Sequence, residues 1–172
     1  MKYLSYYFLI FIHIFFLFGC QKSNKSTIQI DNKSYLNDFE LLQENPNNKT
    51  IIKITSPKAI IDPTNNDIEI FESSIEVLNK NGQDFIVKSG NSSLNNLTNS
   101  IRVFNSVNIS FLNNLDYFIT TNSFRWDLNT SFIDINNPIK IYFDNTLING
   151  TNGLYNIDSS LLNIDNTEFN RY

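Results

Sequence analysis

One histidine, one cysteine and a thin scatter of carboxylates are the residues from which this 172-residue chain could build nucleophilic, metal or acid–base chemistry. Ser-His-Asp and Cys-His nucleophiles need an imidazole to take the proton, and zinc sites draw on Cys and His. His13 and Cys20 both lie in the first twenty residues, apart from everything that follows. Asp116, Asp127, Asp134 and Asp144 are spaced about evenly, a pattern that invites an acid and base pair for glycoside hydrolysis or a calcium ladder. Asp127 and Asp134 alternate with apolar residues, which places them on a solvated face or at a turn. Five glycines are too few for the glycine-rich calcium repeat of β-helices. No catalytic residue, cofactor or metal is expected.

The first segment, MKYLSYYFLIFIHIFFLFGC, opens on Lys2, runs apolar from Tyr6 to Phe18 apart from His13, and closes on Gly19-Cys20. That is the build of a secretory signal, with an apolar core shorter than the ~20 residues a membrane-spanning helix needs. Its end, Leu17-Phe18-Gly19-Cys20, resembles the bacterial lipobox, in which the cysteine takes a diacylglyceryl thioether before cleavage. Residues 1–19 are therefore expected to be a lipoprotein signal peptide and Cys20 the lipid anchor. Cleavage leaves 172 − 19 = 153 residues without histidine or free thiol, and without a disulfide within the chain. Acyl chains contribute about 0.8 kcal/mol per buried methylene, enough for two or three of them to hold the protein on a membrane.

The mature part is acidic, with 17 Asp and Glu against 13 Lys and Arg over the whole chain and a formal charge of −4. A nucleic-acid partner is not expected, because phosphate backbones are held by clustered cations that are lacking here. Fifteen Phe and eight Tyr can fill a core. The 29 Asn residues are too many for any one of them to carry much meaning.

Residues 20–48 read as a lipid-anchored spacer. Within it Tyr35, Leu36, Phe39 and Leu42 recur at roughly helical spacing after Ser34, a suitable N-cap, so a short amphipathic helix is expected there. It is placed either to pack on one end of the domain or to lie on a membrane surface. From Lys49 the pattern changes to period two: Ile52-Lys53-Ile54, Ile68-Glu69-Ile70, Ile75-Glu76-Val77, Ile101-Arg102-Val103 and runs at 107–111, 124–128, 133–135 and 139–143. Apolar residues alternating with polar ones predict half-buried antiparallel strands. Asn81-Gly82, Gly90-Asn91, Asn113-Asn114, Asn136-Asn137-Pro138, Asn149-Gly150 and Asn152-Gly153 are read as the turns between them. A loose repeat aligns 101–111 (IRVFNSVNISF) with 133–143 (IDINNPIKIYF), and 68–73 (IEIFES) with 101–106 (IRVFNS). The expected domain, 49–172, is all-β: a dozen or more strands of about five or six residues in stacked hairpins.

This order of elements resembles the LptC family, the membrane-anchored periplasmic component of the lipopolysaccharide transport bridge. The matching features are the N-terminal anchor, the spacer, Ile54-Thr55-Ser56-Pro57-Lys58-Ala59, the runs from Ile68 to Leu78, and the segment Tyr117 to Ile164. Within the last, 119–127 (ITTNSFRWD) looks like the family's strand entering a turn with an aromatic-Asp pair, and 149–157 (NGTNGLYNI) like its later repetition. The resemblance implies an elongated, twisted β-jellyroll with an open apolar groove and no enzymatic activity. It would receive lipopolysaccharide acyl chains from an inner-membrane ABC transporter and pass them to an LptA-like bridge protein. It also implies a periplasmic location on the inner membrane, although Gln21 after the cysteine is the commoner outer-membrane sorting signal. Ile70, Val77, Val87, Val103, Ile109, Phe118, Trp126, Ile135 and Ile141 are the candidates for lining the groove. The alternative is a structural or adhesive envelope lipoprotein with a closed β-sandwich, in which the same residues are plain core.

Overall fold

A computed structural model describes residues 33–45, 49–80, 84–112, 117–136 and 138–171. The proposed signal peptide and Cys20 lie outside them, as do the Asn81-Gly82 and Asn113-Asn114 pairs. Twelve strands are described: β1 (Ser34–Glu44), β2 (Ile51–Asp62), β3 (Asp67–Leu78), β4 (Phe85–Asn95), β5 (Ser100–Phe111), β6 (Tyr117–Asp127), β7 (Phe132–Ile135), β8 (Ile139–Phe143), β9 (Thr146–Gly150), β10 (Gly153–Asn156), β11 (Leu161–Ile164) and β12 (Glu168–Arg171). Every described pairing is antiparallel, and β1 to β6 follow one another in a simple meander.

The first six strands are 11 or 12 residues long, twice the expected length, because each contains two of the period-two runs. In β3, Ile68 and Ile70 face inward, then Ser73, Ile75 and Val77 do. The step of three between Ile70 and Ser73 is a change of phase, produced by Glu72 at φ 52°. One residue in the left-handed region inserts an unpaired position and turns the following side chains to the other face of the ribbon. Asp38 in β1 does the same with positive φ, whereas in β5 the Asn105-Ser106 pair inserts two positions, so that Val103 and Val107 stay on one face. Both flanking ladders of β5 change register at this level.

These irregularities line up from strand to strand and form a crease that folds the sheet over on itself. At β6 the sheet divides: residues 117–121 pair with β8, and 124–126 with β7. β7, ending at Ile135, and β8, beginning at Ile139, thus take one strand position on the two sides of the crease. β9 and β10 are likewise separated by Thr151-Asn152, and β11 and β12 by 165–167. The fold is nine up-and-down strands, each bent once. Half A comprises 39–44, 51–56, 73–78, 85–89, 107–111 and 117–121 with β8, β9 and β12. Half B comprises 34–37, 58–62, 67–71, 91–95, 100–104 and 123–127 with β7, β10 and β11.

Two expectations are corrected here. The stretch around Tyr35 is strand β1 and not a helix, and the sheet begins at Ser34 rather than Lys49. The left-handed Asp38 explains the error: Leu36, Phe39 and Leu41 turn inward at steps of three and two, which imitates helical spacing, while Tyr35 and Leu42 are 60% and 67% exposed. The Gly90-Asn91 and Asn149 to Gly153 signals mark the crease instead of hairpins, as do Asn136 and Pro138; Asn137 lies outside the described residues. The hairpins of half B are four-residue turns opened by Asp62, Asn95, Asp127 and Asn156, whose side chains accept hydrogen bonds from backbone N–H groups two or three residues on. The repeat at 32 to 33 residues is one up-and-down pair of bent strands.

Candidate functional site

The inward side chains of both halves form one apolar cluster along the fold, from Ile52 and Ala59 in β2 to Tyr155 in β10. Of the nine candidates, Val77, Val87, Ile109 and Ile141 enter it from half A, and Ile70, Val103, Trp126 and Ile135 from half B. All eight are between 0% and 9% exposed. Trp126 donates its indole N–H to the Thr130 carbonyl at 3.1 Å, the single acceptor a buried indole needs. Phe118 is different. It is 41% exposed, and its ring stacks on Tyr142 at 4.6 Å on the outer face. Ile119, 1% exposed, takes the inward place, as period two requires of adjacent residues.

The cluster thins at both ends of the meander. Leu36, Phe39, Leu41 and Ile61 are half-buried at the β1 end, and Ile148, Leu162 and Ile164 at the β9 and β11 end. Near the second end an aromatic group connects interior to surface. Phe85, Phe111 and Tyr155 pack within 5.7 to 5.9 Å of one another, Tyr117 lies 4.7 Å from Phe111, and Phe143, 48% exposed, lies 6.4 Å from Tyr117. Burial pushes the Tyr155 hydroxyl up to about 12, a nearby Tyr117 adds to the rise, and a hydrogen bond with Ser160 opposes it. Burial also raises Tyr117.

The inner side of the crease is lined by hydroxyls: Ser56, Ser73, Ser89, Ser92 and Thr121, each at most 8% exposed. They satisfy the groups that the bends take out of the ladder. Ser56 bonds at the Phe71 and Lys58 carbonyls, Ser89 at that of Asn91, and Thr121 at that of Asn136. The seam opposite the crease is closed by side chains reaching from half A to half B. Gln43 Nε2 donates to Asn99 Oδ1 at 3.0 Å, Asn45 Nδ2 to the Leu128 carbonyl at 2.7 Å, and Asn79 Nδ2 to the Ile157 carbonyl at 2.9 Å. These bonds join the end of β1 to the turn after β4, the β1–β2 connection to the turn after β6, and the β3–β4 connection to the turn after β10. The halves are therefore offset by about four to five strands, roughly 20 Å at the usual strand spacing, which makes the interior a twisted trough.

Sequence reasoning missed the crease hydroxyls and the seam residues. The hydroxyls do carry a signal: Ser56, Ser73, Ser89 and Ser92 fall where the apolar alternation changes phase. Asp127 caps a turn, Asp134 is exposed on β7 and Asp144 lies in the β8–β9 turn, so the carboxylates examined as an acid–base pair are spread over the outer surface; Asp116 lies outside the described residues. Two depressions, of about 570 and 590 Å³ and of mixed polar and apolar lining, share Arg102, Phe104 and Arg125, with Asp67 and Glu69 at the margin of the first and Asp134 at that of the second.

The profile of a family described as "Lipopolysaccharide-assembly, LptC-related" matches residues 5–167. The chain belongs to this LptC-related family. Membership makes it a cell-envelope component of lipopolysaccharide transport, and the all-β jellyroll with its bent strands is the fold expected of it. Among solved structures it is similar to LptH from Pseudomonas aeruginosa, described as the LptA homologous periplasmic component of the conserved lipopolysaccharide transport device. The TM-score is 0.52 at 8% identity, over 70% of this chain and 94% of that one. At that identity the likeness is one of fold. No curated protein sequence matches the chain.

Proposed function

We propose that this LptC-related protein is a membrane-anchored periplasmic subunit that takes lipopolysaccharide from an inner-membrane ABC transporter and passes it to an LptA-like bridge protein. One observation carries the reading: a single apolar interior, continuous across both halves, lies between two sheet edges that are free among the described residues. An acyl chain costs about 0.8 kcal/mol per methylene to expose to water, so movement from one apolar trough into another like it is favoured over any aqueous path. Among the described residues β1 pairs only with β2, β11 only with β10, and β12 only with β9, so each end of the meander presents N–H and C=O groups that no described strand pairs. Addition of a partner's strand at those edges would join two troughs into one. Cys20, acylated, would hold the chain to the membrane. The protein's part is binding and positioning, with no bond made or broken.

A closed structural lipoprotein is the second reading, and the near-complete burial of the interior is what favours it. The two reading classes separate in cells. A photo-crosslinker at Ile109 or Trp126 should capture lipopolysaccharide, while one at Arg102 or Phe118, both outward, should not; capture from the outward positions alone would sink the carrier assignment. Fatty-acid labelling of the wild type, absent in Cys20→Ala, tests the anchor.

A further inference from the structure

Every inward groove candidate is closed off from solvent, yet a carrier has to admit its cargo, so some boundary of the interior must open. The crease is the wrong boundary, because nine covalently continuous or hydrogen-bonded strand bends cross it. The opposite seam is crossed by none of the described strands. Its half-B rim is a chain of turns bonded to one another: Leu128 N–H to the Asn99 carbonyl at 2.9 Å, Ile157 N–H to the Ser131 carbonyl at 2.8 Å, and Asn99 Nδ2 to Asn129 Oδ1 at 2.8 Å. Two residues of that rim point inward as plugs, Leu128 at 1% and Ile157 at 0% exposure. The carbonyls of these same two residues receive Asn45 and Asn79 from half A, which are themselves 3% and 8% exposed.

We infer that the seam is the route by which an aliphatic chain reaches the interior, with Asn45 and Asn79 as latches and Leu128 and Ile157 as the plugs they hold. This rests on the carrier reading above. The latches suit a device that must open. Each is a neutral amide-to-carbonyl bond, whose net value is small because both groups hydrate when parted, whereas the plugs withdraw apolar surface only from the rim. The plugs stand at the same place in two turns, each directly after the capping residue, Asp127 or Asn156. In a closed-to-open equilibrium the loading rate follows the open population, so each latch removed multiplies that rate without altering the capacity of the interior.

The test uses the full-length protein and cis-parinaric acid, a fluorescent long-chain fatty acid that accepts energy from tryptophan; Trp126, the only Trp, stands in the interior. Asn45→Ala and Asn79→Ala should each raise the stopped-flow loading rate about fivefold, and the double variant about twenty-five-fold, at unchanged saturating amplitude. Gln43→Cys with Asn99→Cys, joined by a short bis-maleimide, should stop loading, with the two single-cysteine proteins as controls for reaction at Cys20. Should the alanine variants fail to fold, the cross-linked pair decides alone, because its positions lie outside the apolar cluster. Loading that is as fast in the cross-linked protein as in the wild type overturns the seam route and leaves the carrier reading standing, with access through the ends. Absence of energy transfer from Trp126 in every form overturns the carrier reading itself.

Discussion

Replacing Ser73 by Ala removes one hydroxyl and should cost more than one hydrogen bond. Ser73 lies at the bend of β3, 2% exposed, with its Oγ 2.7 Å from that of Ser89 and 2.5 Å from that of Ser92. Ser89 lies 3.0 Å from the Asn91 carbonyl. Each hydroxyl has one proton to give, and a chain running from Ser92 to Ser73 to Ser89 to that carbonyl uses all three. Ser73→Ala breaks two links and leaves Ser92, 1% exposed, with Ser89 at 3.4 Å as its remaining partner. The two broken links, only one of them replaced and that by the long 3.4 Å contact, together cost about 2 kcal/mol, which in a domain of this size lowers Tm by roughly 6 °C. Ser92→Ala deletes the terminal donor and strands nothing, so it should cost about 1 kcal/mol. The double variant should be no worse than Ser73→Ala, giving a coupling of about 1 kcal/mol between the two sites. Urea denaturation followed by Trp126 fluorescence measures all three. Additive costs, or a Ser73→Ala protein within about 0.5 kcal/mol of wild type, would refute the assignment of the hydroxyl row as the polar support of the crease.

Gly90 stands at the crease of β4, and a Cβ there would meet Asn105 Cβ and the Asn105 carbonyl oxygen at 3.1 Å. Gly90→Ala should therefore destabilise by about 1 to 2 kcal/mol in the same denaturation assay, and a neutral result would show that β5 can withdraw. The Tyr155 phenol favours its neutral form when folded, so its contribution is full below pH ~10 and is lost as pH rises toward the folded value of about 12; stability should fall across that window in wild type and less steeply in Tyr155→Phe. Equal slopes in the two proteins would remove Tyr155 as the cause. A photo-crosslinker at Leu161 on the free β11 edge, 63% exposed, should capture a second jellyroll protein in cells, whereas Leu97 in the β4–β5 turn, 75% exposed, should not. Capture at both positions, or at neither, would speak against docking at that edge.

The class of fold is legible because period-two alternation is a local property: Ile101, Val103, Ile109 and Phe111 all read as one face of a ribbon and all are buried. The interior was largely legible for the same reason, Phe118 being the exception because the run 117–119 is apolar throughout and alternation cannot say which of its members turns in. The β1 error came from applying one period across a residue that changes it. Asp38 and Asn105 are of types that adopt a positive φ more readily than most, but among 29 Asn that preference singles out no position, and Glu72 does not share it. Gly90-Asn91, Asn136 and Asn152-Gly153 do stand where the backbone departs from a regular strand, but a crease and a hairpin ask for the same residues.

The sequence by itself determined the strand-forming content, the repeat of about 32 residues, the family pattern, and the placing of its one His and one Cys, His13 and Cys20, within the first twenty residues. Only the tertiary structure decided that pairs of short runs are halves of single bent strands, that hydroxyls support the bends, and that Asn45 and Asn79 close the seam. The physical reason is distance along the chain. Alternation and turn chemistry act between neighbours, whereas the two latches join residues 83 and 78 positions apart, and no local preference encodes which strand of one half will lie over which strand of the other.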